Sequence, residues 1–232
     1  MIDGKVVLVT GGRRGLGAAI VDEVLSRGAR KVYSTAREPF EDTRQQVATK
    51  QLEVTSEASV TELARELTDV DIVVNNAGVL YPDSLLTGDF DRIDATFQTN
   101  VFGPLRVARA FAPILKANGG GAIVNIHSVL SWLGGSGAYG ASKAAIWSVS
   151  NSLRLELESQ QTQVLGVHAG FIDTDMVSAL EVPKTPPRVI AERIIDALEK
   201  GDNEVLTDDL TAGIKTLLSG PVENLAYRPG GN

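Results

Sequence analysis

Between residues 127 and 145 the chain reads HSVLSWLGGSGAYGASKAA, with Tyr139 and Lys143 four positions apart. In a helix that spacing puts both side chains on one face, within a single turn. A free phenol ionises at about pH 10, too high for easy proton exchange at neutrality. A neighbouring ammonium favours the phenolate and is expected to draw that value down, which makes Tyr139 a candidate general acid/base. Four serines lie in the same stretch. Ser128 ends the apolar run GAIVNIHS (121–128) and is the choice for a hydrogen-bonding partner, because strand ends hold a group more firmly than loops do. Ser131 and Ser136 fall in the following loop, and Ser142 reads as a helix-surface hydroxyl. His127 adjoins Ser128, but consecutive strand residues point to opposite faces, so it is poorly placed to act as that serine's base. The chain has no G-x-S-x-G elbow either, and His127 and His168 are read as structural.

Such groups need a frame. Short β-branched runs KVVLVT (5–10), KVYSTA (31–36), DIVVNN (71–76), GAIVNIHS (121–128) and QVLGVHA (163–169) alternate with segments of helical period. Val60, Leu63, Ala64 and Leu67 are spaced i, i+3, i+4, i+7 behind Ser56, which can cap that helix. Several runs are apolar on both faces, as in a parallel sheet covered by helices on both sides. The expected class is therefore α/β, doubly wound and mostly parallel, with residues 1–218 forming a single domain. A helix over about 188–200, a short strand at Glu204 to Thr207 and a helix over about 210–218 close it, and residues 219–232 read as an irregular tail.

The first strand runs into TGGRRGLG (10–17), a T-G-x-x-x-G-x-G loop opening a helix. Gly11, Gly15 and Gly17 there serve a tight turn, room for a pyrophosphate against bare backbone, and close helix packing. The helix N-terminus adds unpaired N–H groups and a positive dipole end. The end of the second strand carries no acid at Ser34, Thr35 or Ala36 to take a ribose 2′-hydroxyl, and Arg37 follows. Arg13 and Arg14 lie near the same corner. In a chain of net charge −7, three arginines there suit a 2′-phosphate and predict NADP(H) over NAD(H).

The series TGGRRGLG, NNAG (75–78), Asn100, Ser128 and YGASK (139–143), in this order and near these separations, resembles the short-chain dehydrogenase/reductase family in its single-domain form over about residues 4–207. The resemblance implies a seven-stranded Rossmann-type sheet and reversible hydride transfer between NADP(H) and a carbonyl/alcohol pair. It implies that Tyr139 protonates the substrate oxygen, that Ser128 hydrogen-bonds it, that Lys143 holds the nicotinamide ribose while lowering the tyrosine pKa, and that Asn100 supports a proton-relaying water. Cofactor contacts implied by the family pattern fall on Gly11, Arg13, Arg14, Gly15, Leu16, Gly17, Arg37, Glu53, Val54, Asn76, Ala77, Gly78, Tyr139, Lys143, Gly170, Ile172 and Thr174. Three departures are visible: the Ser128–Tyr139 separation is two residues short, Ala169 stands where proline usually precedes glycine, and Glu53 replaces the usual aspartate.

Trp132, Leu133, Phe171 and Met176 are candidates for an apolar substrate pocket fitting an aldehyde or ketone. The acidic balance disfavours nucleic acid and anionic membranes as partners. With no cysteine and two histidines, no metal site is expected. No 18-residue apolar run or export leader is apparent, so a cytoplasmic location is expected. The segment after Asn100 and the helix 139–157 are apolar on more than one face, and in this family they form subunit contacts, so a homodimer or homotetramer is expected. The alternative to an oxidoreductase is a catalytically silent NADP(H)-binding regulator or scaffold, which has no need of Asn100, Ser128, Tyr139 and Lys143 together. An epimerase or dehydratase usually brings a larger C-terminal lobe than the roughly 60 residues that follow Thr174 here.

Overall fold

The computed structural model describes residues 2–81 and 83–227. Seven strands form one wholly parallel sheet: β1 Val6–Val9, β2 Lys31–Ala36, β3 Val47–Gln51, β4 Ile72–Asn75, β5 Gly121–Ile126, β6 Thr162–His168 and β7 Glu204–Leu206. Their order across the sheet is β3-β2-β1-β4-β5-β6-β7. The order reverses between β1 and β4, and the carboxyl ends of those strands open the crevice where ligands bind in sheets of this kind.

Alternation along the buried strands explains the two helical layers. Val7 and Val9 of β1 face one side, against α1 (Gly15–Ser26) and α6 (Pro187–Lys200), whose Ile20, Val24, Ile190 and Ile194 complete that core. Val6 and Leu8 face the other side, against α2 (Glu57–Glu66), α4 (Gly103–Ala117) and α5 (Gly137–Leu157), through Leu63, Phe111 and Leu153. A strand apolar on every residue can only be satisfied this way. Ser56 caps α2, its side chain accepting from the Ser59 N–H.

Three elements differ from the sequence expectation. Strand β3 was not among the runs picked out by β-branched content, because VATKQ is an edge strand, mostly half-buried, whose Lys50 and Gln51 break the apolar pattern. Helix α5 starts two residues before Tyr139. The chain after α7 (Asp209–Thr216) is not free. It makes a 3₁₀ turn at Val222–Leu225, Ala226 bridges Gly134, and the Tyr227 N–H donates to Gly134 O at 2.7 Å. Residues 228–232 lie outside the described residues. No helix among the described residues is long and apolar enough to cross a membrane.

Candidate active site

A cleft of about 1490 Å³ runs along the carboxyl ends of the strands, from the glycine loop to Tyr139. Ser128 follows β5 and caps the 3₁₀ turn Val129–Ser131, its Oγ accepting from the Leu130 N–H at 3.1 Å. That leaves the hydroxyl proton available toward the cleft. Tyr139 lines the same end from α5 and hydrogen-bonds Ser128. Lys143, one turn on, is buried, lies with Nζ 5.7 Å from the Tyr139 ring centroid, and donates to Ile126 O at 2.7 Å. The three sequence-predicted side chains thus converge on one point.

Their electrostatics depart from the expectation. Burial pushes the Tyr139 phenol up to about 12, with the Ser128 hydrogen bond pulling weakly the other way, and burial brings the Lys143 amine down to about 8. The expected lowering of the tyrosine by the lysine is absent from this arrangement, because desolvation outweighs the charge and the amine is turned to the Ile126 carbonyl.

Asn100 sits in a π-helical turn, Gln98–Phe102, inserted between α3 (Phe90–Phe97) and α4, a local widening often associated with functional sites. Its Oδ1 accepts from Val79 N at 2.9 Å, and its Nδ2 donates to Val79 O at 2.9 Å and to Ser142 Oγ at 3.1 Å. Both amide protons are used within the protein, so the side chain braces the Gly78–Val79 turn. Ser142 is fully buried and donates to Tyr139 O at 2.7 Å. It is an internal link from Asn100 to the tyrosine's own backbone, in contrast to the surface hydroxyl read from the sequence.

At the other end, Gly11, Arg13, Arg14, Gly15, Leu16, Gly17 and Arg37 all border the cleft, as do Glu53, Val54, Asn76, Ala77, Gly78, Gly170, Ile172 and Thr174. Gly15 has φ +57°, and a Cβ on Gly17 would stand 2.1 Å from Gly11 O, so neither position accepts a side chain without movement. The start of α1 carries no side-chain cap and no acid in its first turn. Its N–H groups therefore face the cleft without an internal anion.

A family model described as short chain dehydrogenase matches residues 5–184. The chain belongs to that family. An uncharacterized oxidoreductase of Staphylococcus saprophyticus is 31% identical over 215 residues, covering 84% of this chain and 92% of that protein. The 3-oxoacyl-[acyl-carrier-protein] reductase FabG of Escherichia coli is 34% identical over 192 residues, 77% of this chain and 78% of the reductase. The crystal structure of a short chain dehydrogenase from Burkholderia cenocepacia in complex with NADP superposes with a TM-score of 0.92 at 34% identity, over 97% of both chains. This short-chain dehydrogenase is accordingly an oxidoreductase of the class that uses NAD(H) or NADP(H). The side-chain-free glycine cradle, the uncapped helix start and the length of the cleft fit such a dinucleotide.

Two candidate pocket residues of the dehydrogenase are corrected. Trp132 and Leu133 do not border the cleft, whereas Phe171 and Met176 do. The tight turn Val129–Ser131 sends Trp132 inward, where its indole stacks on His168 with ring centroids 4.0 Å apart. Leu133 continues toward Ser136, whose hydroxyl donates to its carbonyl at 2.5 Å. Roles within the glycine end are also redistributed. Asn76 uses its amide on Thr10 O and Gly11 O, at 3.0 and 3.1 Å, which braces the loop. Glu53 binds the N–H and hydroxyl of Thr55.

Several contributors were passed over in the sequence. The Thr10 hydroxyl accepts from the N–H groups of Asn76 and Ala77, both at 3.0 Å, and ties β1 to β4 under the cleft. Asp208 accepts from the Gly170 N–H at 2.7 Å while capping α7. Glu38 stands 3.6 Å from Arg13, and Asp175 3.6 Å from Arg14, so two of the three arginines already face carboxylates. An aspartate before a helical segment is a readable cap signal. The arginine pairs join residues 25 and 161 apart in sequence and leave no local trace.

Proposed function

We propose that this protein is an NADP(H)-dependent carbonyl reductase or alcohol dehydrogenase in which Tyr139 is the general acid/base. The observation carrying this reading is the meeting of Ser128, Tyr139 and Lys143 at one end of the cleft whose other end is the glycine loop. Bound NADPH supplies the hydride. The Tyr139 phenol, held protonated by burial, is set to give its proton to a carbonyl oxygen. Ser128, fixed by the Leu130 N–H, offers its hydroxyl to the same oxygen as negative charge develops there. Lys143, buried one turn from the phenol with its amine on Ile126 O, is the residue that would hold the nicotinamide ribose. Asn100 keeps Gly78 and Val79 in place. Phe171, Met176, Leu80 and Ile172 line the cleft and favour an apolar aldehyde or ketone.

Arg37, exposed at the end of β2, with Arg13 and Arg14 at the same rim, supports NADP(H) as the preferred form. A homodimer or homotetramer through α4 and α5 is the assembly proposed, supported by Leu155 of α5, 75% exposed, and by Phe102 at the start of α4. Light scattering giving a monomer mass at micromolar concentration would refute it.

The decisive experiment follows NADPH oxidation across a panel of aldehydes, ketones, quinones and imines. Turnover of an aldehyde or ketone is expected. NADPH binding without turnover of any panel member would favour the catalytically silent regulator instead.

A further inference from the structure

Behind Ser128 lies a buried chain of polar side chains, of which His127 also borders the cleft. Asn75 Nδ2 donates to Asn125 Oδ1, and Asn125 Nδ2 donates to Ser150 Oγ, both at 2.9 Å. Ser150 gives its single proton to Ile146 O at 2.8 Å. His127 Nε2, 2.8 Å from that same Ser150 oxygen, must therefore be the donor in their contact, which leaves Nδ1 as an acceptor. Nδ1 lies 3.2 Å from Nε2 of His168.

The proton count at His168 then closes in one way. Its Nε2 faces two acceptors, His127 Nδ1 and, at 3.2 Å, Glu204 Oε1. Its Nδ1 faces the backbone carbonyl of Ser128 at 3.2 Å, which can only accept. Any ring with a single proton sets a bare lone pair against an acceptor in a fully buried site. We propose that His168 carries a proton on both ring nitrogens with Glu204 as counter-charge, and that this imidazolium is a positioning residue, holding the Ser128 backbone by donating to its carbonyl.

The surroundings agree. Trp132 stacks on the His168 ring, and Trp147 meets it edge-on at 6.0 Å. Glu204 presents its second oxygen to Lys215 Nζ at 2.6 Å, and that amine lies over the faces of Trp132 and Trp147. Burial, together with the charges of His168, Lys143, Arg154 and Lys215, holds His127 well below the ordinary imidazole range, so it stays neutral and accepting. The charged groups around the His127–His168 pair are thus Glu204 from β7, which contacts His168, and Lys215 from α7, Arg154 from α5 and Lys143 beyond Ser128, which act on His127.

The link to chemistry rests on the reading of Ser128 as the hydroxyl that meets the substrate oxygen. Ser128 O also accepts from Ser131 N–H at 3.0 Å, so the carbonyl is clamped from the turn on one side and from His168 on the other. Releasing one clamp lets the hydroxyl wander by a fraction of an ångström, enough to slow a step that depends on aim.

With two histidines in the chain, long-range proton–nitrogen NMR of the ¹⁵N-histidine-labelled full-length protein reads both rings directly. At neutral pH the expected result is one ring protonated at both nitrogens, absent in His168→Gln, and one neutral ring protonated at Nε2. Glu204→Gln is expected to remove the Nε2 proton from the first ring, and His168→Leu, which has no donor for Ser128 O, to speed amide exchange at Leu130 and Ser131, with Val73 unchanged. With the best carbonyl compound of the panel, kcat of His168→Leu should fall about tenfold at an unaltered KM for NADPH. Two neutral rings in the unmodified protein overturn the proposal, as do unaltered exchange or unaltered kcat in His168→Leu. If the panel gives no turnover, the carbonyl-reductase reading fails, while ring protonation and amide exchange still decide the state and reach of His168.

Discussion

The two ends of the cleft are made of different material. Before Asn75 the buried polar side chains are Thr10, Ser34 and Thr35, and the dinucleotide end is built from bare backbone, an uncapped helix start and exposed arginines. From Asn75 onward the buried set includes Asn100 bonded to Ser142, a chain of Asn125, Ser150, His127 and His168 that reaches the Ser128 carbonyl, and Lys143 bonded to Ile126 O. A group that only has to be held can be met by backbone donors and surface charge. A carbonyl oxygen that gains charge during reaction needs donors aimed beforehand, and aiming requires burial with the donors held by hydrogen bonds. The binding end should therefore respond to steric change, and the catalytic end to the loss of single protons or charges.

The largest expected effect tests the catalytic end. Tyr139→Phe removes the acid proton and keeps the ring, so kcat should fall by roughly 10³-fold while the dissociation constant for NADPH, measured by fluorescence titration, stays within about twofold. A variant retaining full turnover would end the acid assignment. Gly17→Ala makes the opposite experiment. Its Cβ would stand 2.1 Å from a backbone oxygen that has nowhere to go, so NADPH affinity should drop on the order of a hundredfold and thermal stability should fall.

Acid should also discriminate between the ends. Glu204 is held at about 2, first by its hydrogen bond from His168 and next by Lys215, against an ordinary 4.5. A carboxylate lowered on folding contributes stability that is present above 4.5 and lost as pH falls toward 2. His127, neutral by burial, resists the proton that the unfolded chain takes up below about 6.5, so its penalty also grows as pH falls. Melting temperatures are expected to decline below about pH 6.5 and more steeply below 4.5, and Glu204→Gln should flatten the steeper limb. An unchanged limb in that variant would show that the network contributes nothing to acid sensitivity.

Lys143 gives the reverse sign at alkaline pH. Its amine is brought from 10.5 down to about 8, so the folded state carries a penalty of about 3 kcal/mol at neutrality. Lys143→Met removes that penalty and one hydrogen bond to Ile126 O, worth about 1 kcal/mol. The variant should be inactive yet melt several degrees higher, as expected where function costs stability. In the unmodified protein, stability should rise from about pH 8 toward pH 10 as the penalty fades, and in the variant it should not. A lower melting temperature for Lys143→Met would show that the amine is structurally supported rather than strained.

How much of this was legible follows the same division. Strand β1 and the glycine loop are contiguous, so an unbroken apolar run and glycine spacing reveal them directly. The Tyr139–Lys143 pair is legible because helical period makes four residues apart a spatial statement. Strand β3 escaped because an edge strand needs little apolar surface. The inward turn of Trp132 and the bond from His168 to Ser128 escaped for another reason: they join β5, β6 and β7 across the sheet, and residue type alone does not reveal which loop side chains face the cleft. The tyrosine's upward shift was missed because spacing announces a nearby charge and says nothing of how much water the fold removes.

The smallest expected effect bears on the exposed corner. Arg13 and Arg14 each stand 3.6 Å from a carboxylate, of Glu38 and Asp175 respectively, and all four side chains are at least half exposed. Solvent screens pairs of that kind, so their positive charge is offset without being removed. If a 2′-phosphate is met by the arginine that ends β2, Arg37→Ala should cost about tenfold in kcat/KM with NADPH and leave kcat/KM with NADH nearly unchanged. Glu38→Gln should act in the other direction by a smaller factor, because it frees Arg13 and removes a negative charge from the same rim. The expected NADPH loss should shrink at high salt, since each group is exposed, whereas the Tyr139→Phe loss should not. Equal use of both cofactors by the unmodified protein, or an Arg37→Ala variant that keeps its preference, would mean that the binding end discriminates by shape and that its arginines are a solvated surface.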